Sequence, residues 1–170
     1  MTDTSEGTRR GHGNGLFSAV SIGFFFLLIG MLFITTPELS DRIVSFFKDF
    51  QTVSVPYTNV YLPAPASPGA YLTVYRAAEQ FSLIWAVFLS AILVGRIVLQ
   101  ARPRRQAANF GDAVFWFGAA YLTQTYLIDR MTNSSAPTQV WFEFWTGIVV
   151  MLGVSLIARA IFLAAVRKSA

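Results

Sequence analysis

The sequence predicts an all-α membrane protein of four transmembrane helices. Both termini should lie in the cytoplasm, and a short amphipathic interfacial helix should sit in the first outer loop. Three observations carry this. Four apolar stretches are each long enough to cross a hydrocarbon core of about 30 Å, which takes about 20 helical residues. Charged residues make up 13% of the 170, against about 25% in a soluble domain, and the deficit is concentrated in those stretches. The basic residues between them fall mainly on one side. Four spans consume roughly half of such a chain, which leaves room for one bundle and no second domain.

Residues 1–15 are Gly, Ser, Thr and charge without periodicity, a composition expected of a disordered tail. The first span covers 16–35 and contains no charge. Its apolar run exceeds the h-region of a signal peptide, and no A-x-A-like site follows, so it is expected to remain as a helix. Thr36-Pro37 ends it. Residues 36–70 form the outer loop. Within it, Leu39, Ile43, Phe46, Phe47 and Phe50 recur at helical spacing among Glu38, Asp41, Arg42, Lys48 and Asp49, which predicts an amphipathic helix over 38–50. It is too short to span, so its Phe stripe should rest on lipid or on the bundle. Pro56, Pro63, Pro65 and Pro68 follow. Val53 and Val55 hint at an extended piece, and the Pro-Ala-Pro-Ala run should be polyproline-like.

The second span covers 68–99 and opens on Pro68, a good first-turn residue. Residues 100–109 form a basic loop. The third span covers 110–128, with Asn109 as its expected N-cap. Residues 129–139 form an outer turn, the fourth span covers 140–166, and 167–170 close the chain.

Orientation follows from Lys and Arg outside the spans. Arg9, Arg10, Arg102, Arg104, Arg105, Arg167 and Lys168 share one side, and only Arg42, Lys48 and Arg130 lie on the other. The positive-inside rule then assigns the seven to the cytoplasm. Tyr57, Tyr61, Tyr71, Tyr75, Tyr126, Trp141 and Trp145 gather near the opposite boundary, as an interfacial aromatic belt does. An outer loop rich in Tyr also suits a partner surface.

Small residues offer close-packing faces on every span: Ala19, Gly23 and Gly30; Ala86 with Ser90 and Ala91 with Gly95; Gly111 and Gly118; Gly147 and Gly153.

Charges inside the spans form two layers, and none lies at the midplane. The inner layer is Arg96, Asp112 and Arg159. Asp112 in a first helical turn and the two Arg in last turns suit the helix dipoles, and the three should form a charge network. Arg102, Arg104 and Arg105 beside them would suit an anionic lipid head group. The outer layer is the candidate pocket. Arg76, Glu79 and Gln80 share a face of the second span, Tyr121, Gln124 and Thr125 lie near the outer end of the third, and Glu143 is on the fourth. If they converge, the long loop roofs a polar pocket. The plainer expectation is a salt bridge from Arg76 to Glu79 or Glu143.

Several functions are excluded or disfavoured. With no cysteine, thiolate chemistry and disulfides are absent, and the single His12 lies in the tail, so no intramembrane histidine site exists. No phosphate-binding Gly loop, G-x-S-x-G or H-E-x-x-H occurs. No metal and no cofactor is therefore expected, and nucleic acid is not an expected partner. Asn133-Ser134-Ser135 matches the glycosylation acceptor pattern, a match frequent by chance. Glu79 and Glu143 lack an accompanying nucleophile, which argues against catalysis. In size and layout the chain resembles small four-helix membrane proteins, DoxX-like ones among them, and no motif carries that further. The leading expectation is a non-catalytic accessory or scaffold subunit of a membrane complex, partnered by lipid and by other subunits or itself. The alternatives are a small oligomeric transporter or channel, and a lipid-binding or lipid-modifying protein using the outer pocket.

Overall fold

The computed structural model describes residues 5–99 and 102–168, with side chains over 17–99 and 102–166. It is mostly helical. The elements are α1 (Ser5–Thr35), α2 (Leu39–Lys48), β1 (Phe50–Ser54), β2 (Tyr61–Pro65), a 3-10 turn (Pro68–Tyr71), α3 (Leu72–Val98), α4 (Pro103–Leu122), a π-helical segment (Thr123–Arg130), the single turn α5 (Met131–Asn133) and α6 (Pro137–Lys168). Among the described residues, three stretches are long and apolar enough to cross a membrane: Phe17–Thr35, Pro68–Val98 and Pro137–Val166. The α4 segment, expected as a further span, is less apolar and falls outside that set.

The helix α1 forms a compact unit of its own, and the chain from Thr36 onward forms a second. In α1 the helix begins at Ser5 rather than near Leu16, because lengthening a formed helix avoids the cost of a new nucleus. Residues 1–4 of the expected tail lie outside the described residues. The hydroxyls of Ser21 and Thr35 donate to the carbonyls of Phe17 (2.8 Å) and Met31 (2.9 Å), one turn back, so neither needs an outside partner.

In the second unit, α4 lies between α3 and α6 and runs antiparallel to both. Protein on two sides explains its lower apolar content, since a helix shielded by neighbours need not face lipid all round. The α4–α6 seam is built from small residues. A Cβ at Gly111 would stand 2.9 Å from the Ser155 carbonyl oxygen, and one at Gly147 would stand 3.1 Å from Leu122. Gly118 faces Met151. Gly147, Met151, Ser155 and Arg159 recur every fourth residue and so share one stripe of α6. Gly153, also expected to pack, has open space where its Cβ would be.

The fold departs from all-α at residues 50–65. There β1 and β2 pair antiparallel, with Thr52 opposite Pro63 and Phe50 opposite Pro65. The prolines expected in a polyproline-like run sit in this strand without penalty. The amide of Val55 donates to Val60 (2.8 Å) and that of Ala66 to Asp49 (2.9 Å), which sets the hydrogen-bonded parity of the ladder. Pro63 and Pro65 fall on the opposite parity, where an N–H would point away from β1. The turn is closed by the Thr58 amide on the Val55 carbonyl, 3.1 Å, with Pro56 second and Tyr57 third at φ 64.

The hairpin and α2 are fastened to the bundle by aromatic rings. Phe46 lies 5.1 Å from Phe50, 5.2 Å from Tyr71 and 6.1 Å from both Tyr75 and Trp141, edge-on in each case. Such pairs contribute about 0.5–1.5 kcal/mol each beyond area burial. Tyr75 is buried and donates its hydroxyl to the Pro68 carbonyl at 2.9 Å. The Asp49 carboxylate accepts from the Ser67 amide at 2.8 Å, tying the end of α2 to the start of the 3-10 turn. The Phe stripe of α2 is therefore divided: Phe46 packs on the bundle, while Phe47 and Val44 are exposed.

The winding from Pro103 to Asn133 is continuous but not uniform. α4 starts with Pro103 at its first position, so Asn109 is inside the helix rather than its cap. At the head of the π-helical segment, Thr123 donates its hydroxyl to the Ala119 carbonyl (2.8 Å). Thr132 donates to Ile128 (2.6 Å) just beyond its end. Side-chain bonds to helical carbonyls weaken the ladder there and favour a change of winding.

Candidate functional site

An open cavity of about 600 Å³ lies between the hairpin turn and α6, within the ~300–1,000 Å³ range of small-molecule sites. The turn contributes Val55, Pro56 and Tyr57. The α4 end and the π-helical segment contribute Leu122 and Tyr126. Helix α6 supplies the long wall. Gln139, Phe142, Glu143, Thr146, Gly147 and Val150 recur three and four residues apart, so a single face of one helix presents them all. Gly147 and Met151 also belong to the α4–α6 seam, so the cavity begins where that seam stops.

The polar groups concentrate at one end. Glu143 forms an ion pair with Arg130, Nη1 to Oε2 2.7 Å, and accepts a hydrogen bond on Oε1 from Gln139 Nε2 at 2.9 Å. The Arg130 guanidinium also lies 4.8 Å from the centre of the Tyr126 ring, a cation–π contact. Thr146 donates its hydroxyl to the Phe142 carbonyl at 2.9 Å. The remaining wall is apolar.

Of the outer-layer residues singled out from sequence, Glu143 alone lines this cavity. Its cationic partner is Arg130 and not Arg76, because the turn after the π-helical segment carries Arg130 onto α6. Arg76 and Gln80 are exposed on α3, Glu79 is half-buried there, and none of the three takes part in an ion pair among the described residues. Tyr121 is exposed and Thr125 half-buried. Gln124 turns to Asp129, Nε2 to Oδ1 3.1 Å, a five-residue separation that π winding stacks on one side. Sequence reasoning missed Gln139, Thr146, Tyr126 and Arg130 as one group. The i, i+4 spacing of Gln139 and Glu143 was the available signal, and starting the last helix at Val140 hid it.

At the other end of the bundle the inner charges also differ from the expected network. Arg96 donates from Nη1 to Asn109 Oδ1 at 2.8 Å and to the Arg105 carbonyl at 3.3 Å, while Gln106 Nε2 donates to the Arg96 carbonyl at 3.4 Å. Asp112 makes no ion pair within 4 Å among the described residues, although the fields of Arg159 and Arg96 reach it. The reason is register. Arg96 meets α4 one turn before Asp112, at Asn109. Asn109 is buried, and its Nδ2 has no hydrogen-bond partner among the described residues. Arg102, Arg104 and Arg105 are exposed at the start of α4.

Fold and cavity together define a class: a helical protein with, among the described residues, three helices long and apolar enough to cross a membrane, and an open, mostly apolar cavity beside the last of them. No family model, curated protein or solved structure matches the chain.

Proposed function

We propose that the protein crosses the cell membrane four times, with both termini cytoplasmic, and serves as a non-catalytic accessory or scaffold subunit of a membrane complex. The fourth crossing is assigned to α4. It packs antiparallel between two helices that are each apolar enough to cross, so it follows them through the bilayer, and its polar residues are shielded by protein. The charge asymmetry of the loops supports the orientation. On this reading α2 lies at the outer interface, with exposed Phe47 and Val44 toward lipid.

The observation that carries the scaffold role is the hairpin. It is fixed to the bundle through Phe46, Phe50 and Trp141, yet Tyr57, Val60, Tyr61 and Leu62 remain exposed on its tip and second strand. A rigid apolar and aromatic patch outside a hydrocarbon layer suits a protein partner, and both strands of a two-stranded sheet keep an unpaired edge. Native mass measurement after gentle detergent extraction tests it. Co-purifying subunits or a defined oligomer are expected, and a strict monomer with no associated protein refutes it. The chain has no cysteine, so single Arg104→Cys and Tyr57→Cys variants report orientation cleanly. Only the second should react with an impermeant maleimide on intact cells.

The cavity supports a second reading, that the protein also holds a lipid. Its wall continues without a break into the exposed apolar face of α6, through Val150, Val154, Ile157 and Ile161.

A further inference from the structure

The polar end of the cavity has a definite hydrogen-bonding sense. Gln139 Nε2 is engaged by Glu143, and the Thr146 hydroxyl is engaged by the Phe142 carbonyl. What these three side chains still offer is mostly acceptor capacity, from the carboxylate lone pairs of Glu143, Gln139 Oε1 and Thr146 Oγ1, beside the one remaining N–H of Gln139. This excess of acceptors favours a ligand end that donates hydrogen bonds, and a cation with N–H groups suits a carboxylate best. Beside this acceptor cluster stands one guanidinium, that of half-exposed Arg130, against the lining residues Glu143 and Tyr126. A ligand with an ammonium and an adjacent anion can exchange partners with the Arg130–Glu143 pair and leave no charge unpaired, which a singly charged ligand cannot do. The apolar remainder of the cavity and the α6 stripe beyond it require a hydrocarbon body.

We infer that the cavity holds one zwitterionic aminophospholipid of the adjoining leaflet, its primary ammonium on Glu143, its phosphate on Arg130 and an acyl chain along Val150 and Val154. This rests on the lipid-holding reading above and specifies the head group.

The full chain is reconstituted in nanodiscs with equal parts phosphatidylethanolamine, phosphatidylcholine and phosphatidylglycerol, and retained lipid is counted by native mass spectrometry. Phosphatidylethanolamine should be retained over phosphatidylcholine, whose methylated ammonium has no N–H, and over phosphatidylglycerol, which has no ammonium. Glu143→Gln should lower that preference about tenfold, the size of one lost charge-assisted bond. Thr146→Trp, which fills the cavity from its wall, should abolish retention while the thermal unfolding midpoint of the protein stays close to wild type. Equal retention of the three lipids overturns the head-group assignment and leaves the lipid reading standing. Retention of none, or undiminished retention in folded Thr146→Trp, overturns both.

Discussion

Arg130 and Glu143 stand 2.7 Å apart, joining the end of the π-helical segment to α6 where Glu143 lines the cavity. Their side chains are 49% and 32% exposed, so water and salt screen the pair. A double-mutant cycle with Arg130→Ala and Glu143→Ala, read by thermal unfolding in detergent, should give a coupling of about 0.2–1 kcal/mol. A coupling several times larger would mean the pair is enclosed in a low dielectric, contrary to its exposure.

Three glycines of α4 and α6 should rank in a fixed order. At Gly111 a Cβ meets a backbone carbonyl at 2.9 Å, which cannot move without separating the helices. Gly111→Ala should cost about 1–3 kcal/mol. At Gly118 the obstacle is the Met151 side chain, which is flexible, so Gly118→Ala should cost less. Gly153 has open space, and Gly153→Ala should stabilise the helix by up to about 1 kcal/mol. Unfolding midpoints of the three variants check this, and any other order contradicts the packing described.

Tyr57 is the third residue of a turn with Pro56 second, and its φ of 64 is one that side chains with a Cβ adopt at a cost. Tyr57→Gly should relieve it and tighten the hairpin. Hydrogen exchange at the Val55 amide, which bonds across the ladder to Val60, should slow severalfold. Tyr57→Val should speed it. Unchanged exchange in both would show that the turn carries no strain.

Asn109 gives Arg96 an acceptor at 2.8 Å but buries an amide nitrogen that has no partner among the described residues. Asn109→Asp replaces that orphan donor by a carboxylate oxygen and turns the contact to Arg96 into an ion pair, so stability should rise by about 1 kcal/mol. Asn109→Leu removes the acceptor and should cost about 1–3 kcal/mol. Denaturant titration separates the two, and a loss of equal size in both would refute the argument.

How much of this could be read from the chain differs by element. The amphipathic helix was legible because Leu39, Ile43, Phe46 and Phe47 repeat at helical spacing, and α2 stands there as Leu39–Lys48. Three of the glycines, Gly111, Gly118 and Gly147, were legible as close-packing positions because small residues leave a groove that a neighbour can fill. The hairpin was not, since Pro63 and Pro65 argue against a strand unless ladder parity is known, and parity is fixed only by pairing with β1. The partner of Glu143 was not legible either. Spacing on one helix places Gln139 beside it, but the approach of Arg130 depends on how the π-helical segment and its turn bring a second helix across.

By itself the sequence marked α2 and the long apolar helices, and it expected four spans, three of which stand among the described residues as long and apolar enough to cross a membrane, because hydrophobic run length and local spacing are properties of contiguous residues. Only the tertiary structure decided which helix stands between the others, which glycines touch, and where a cavity opens under the hairpin turn. Those depend on contacts between residues far apart in the chain, and a shift of one helical turn, as between Asp112 and Asn109 facing Arg96, exchanges one partner for another.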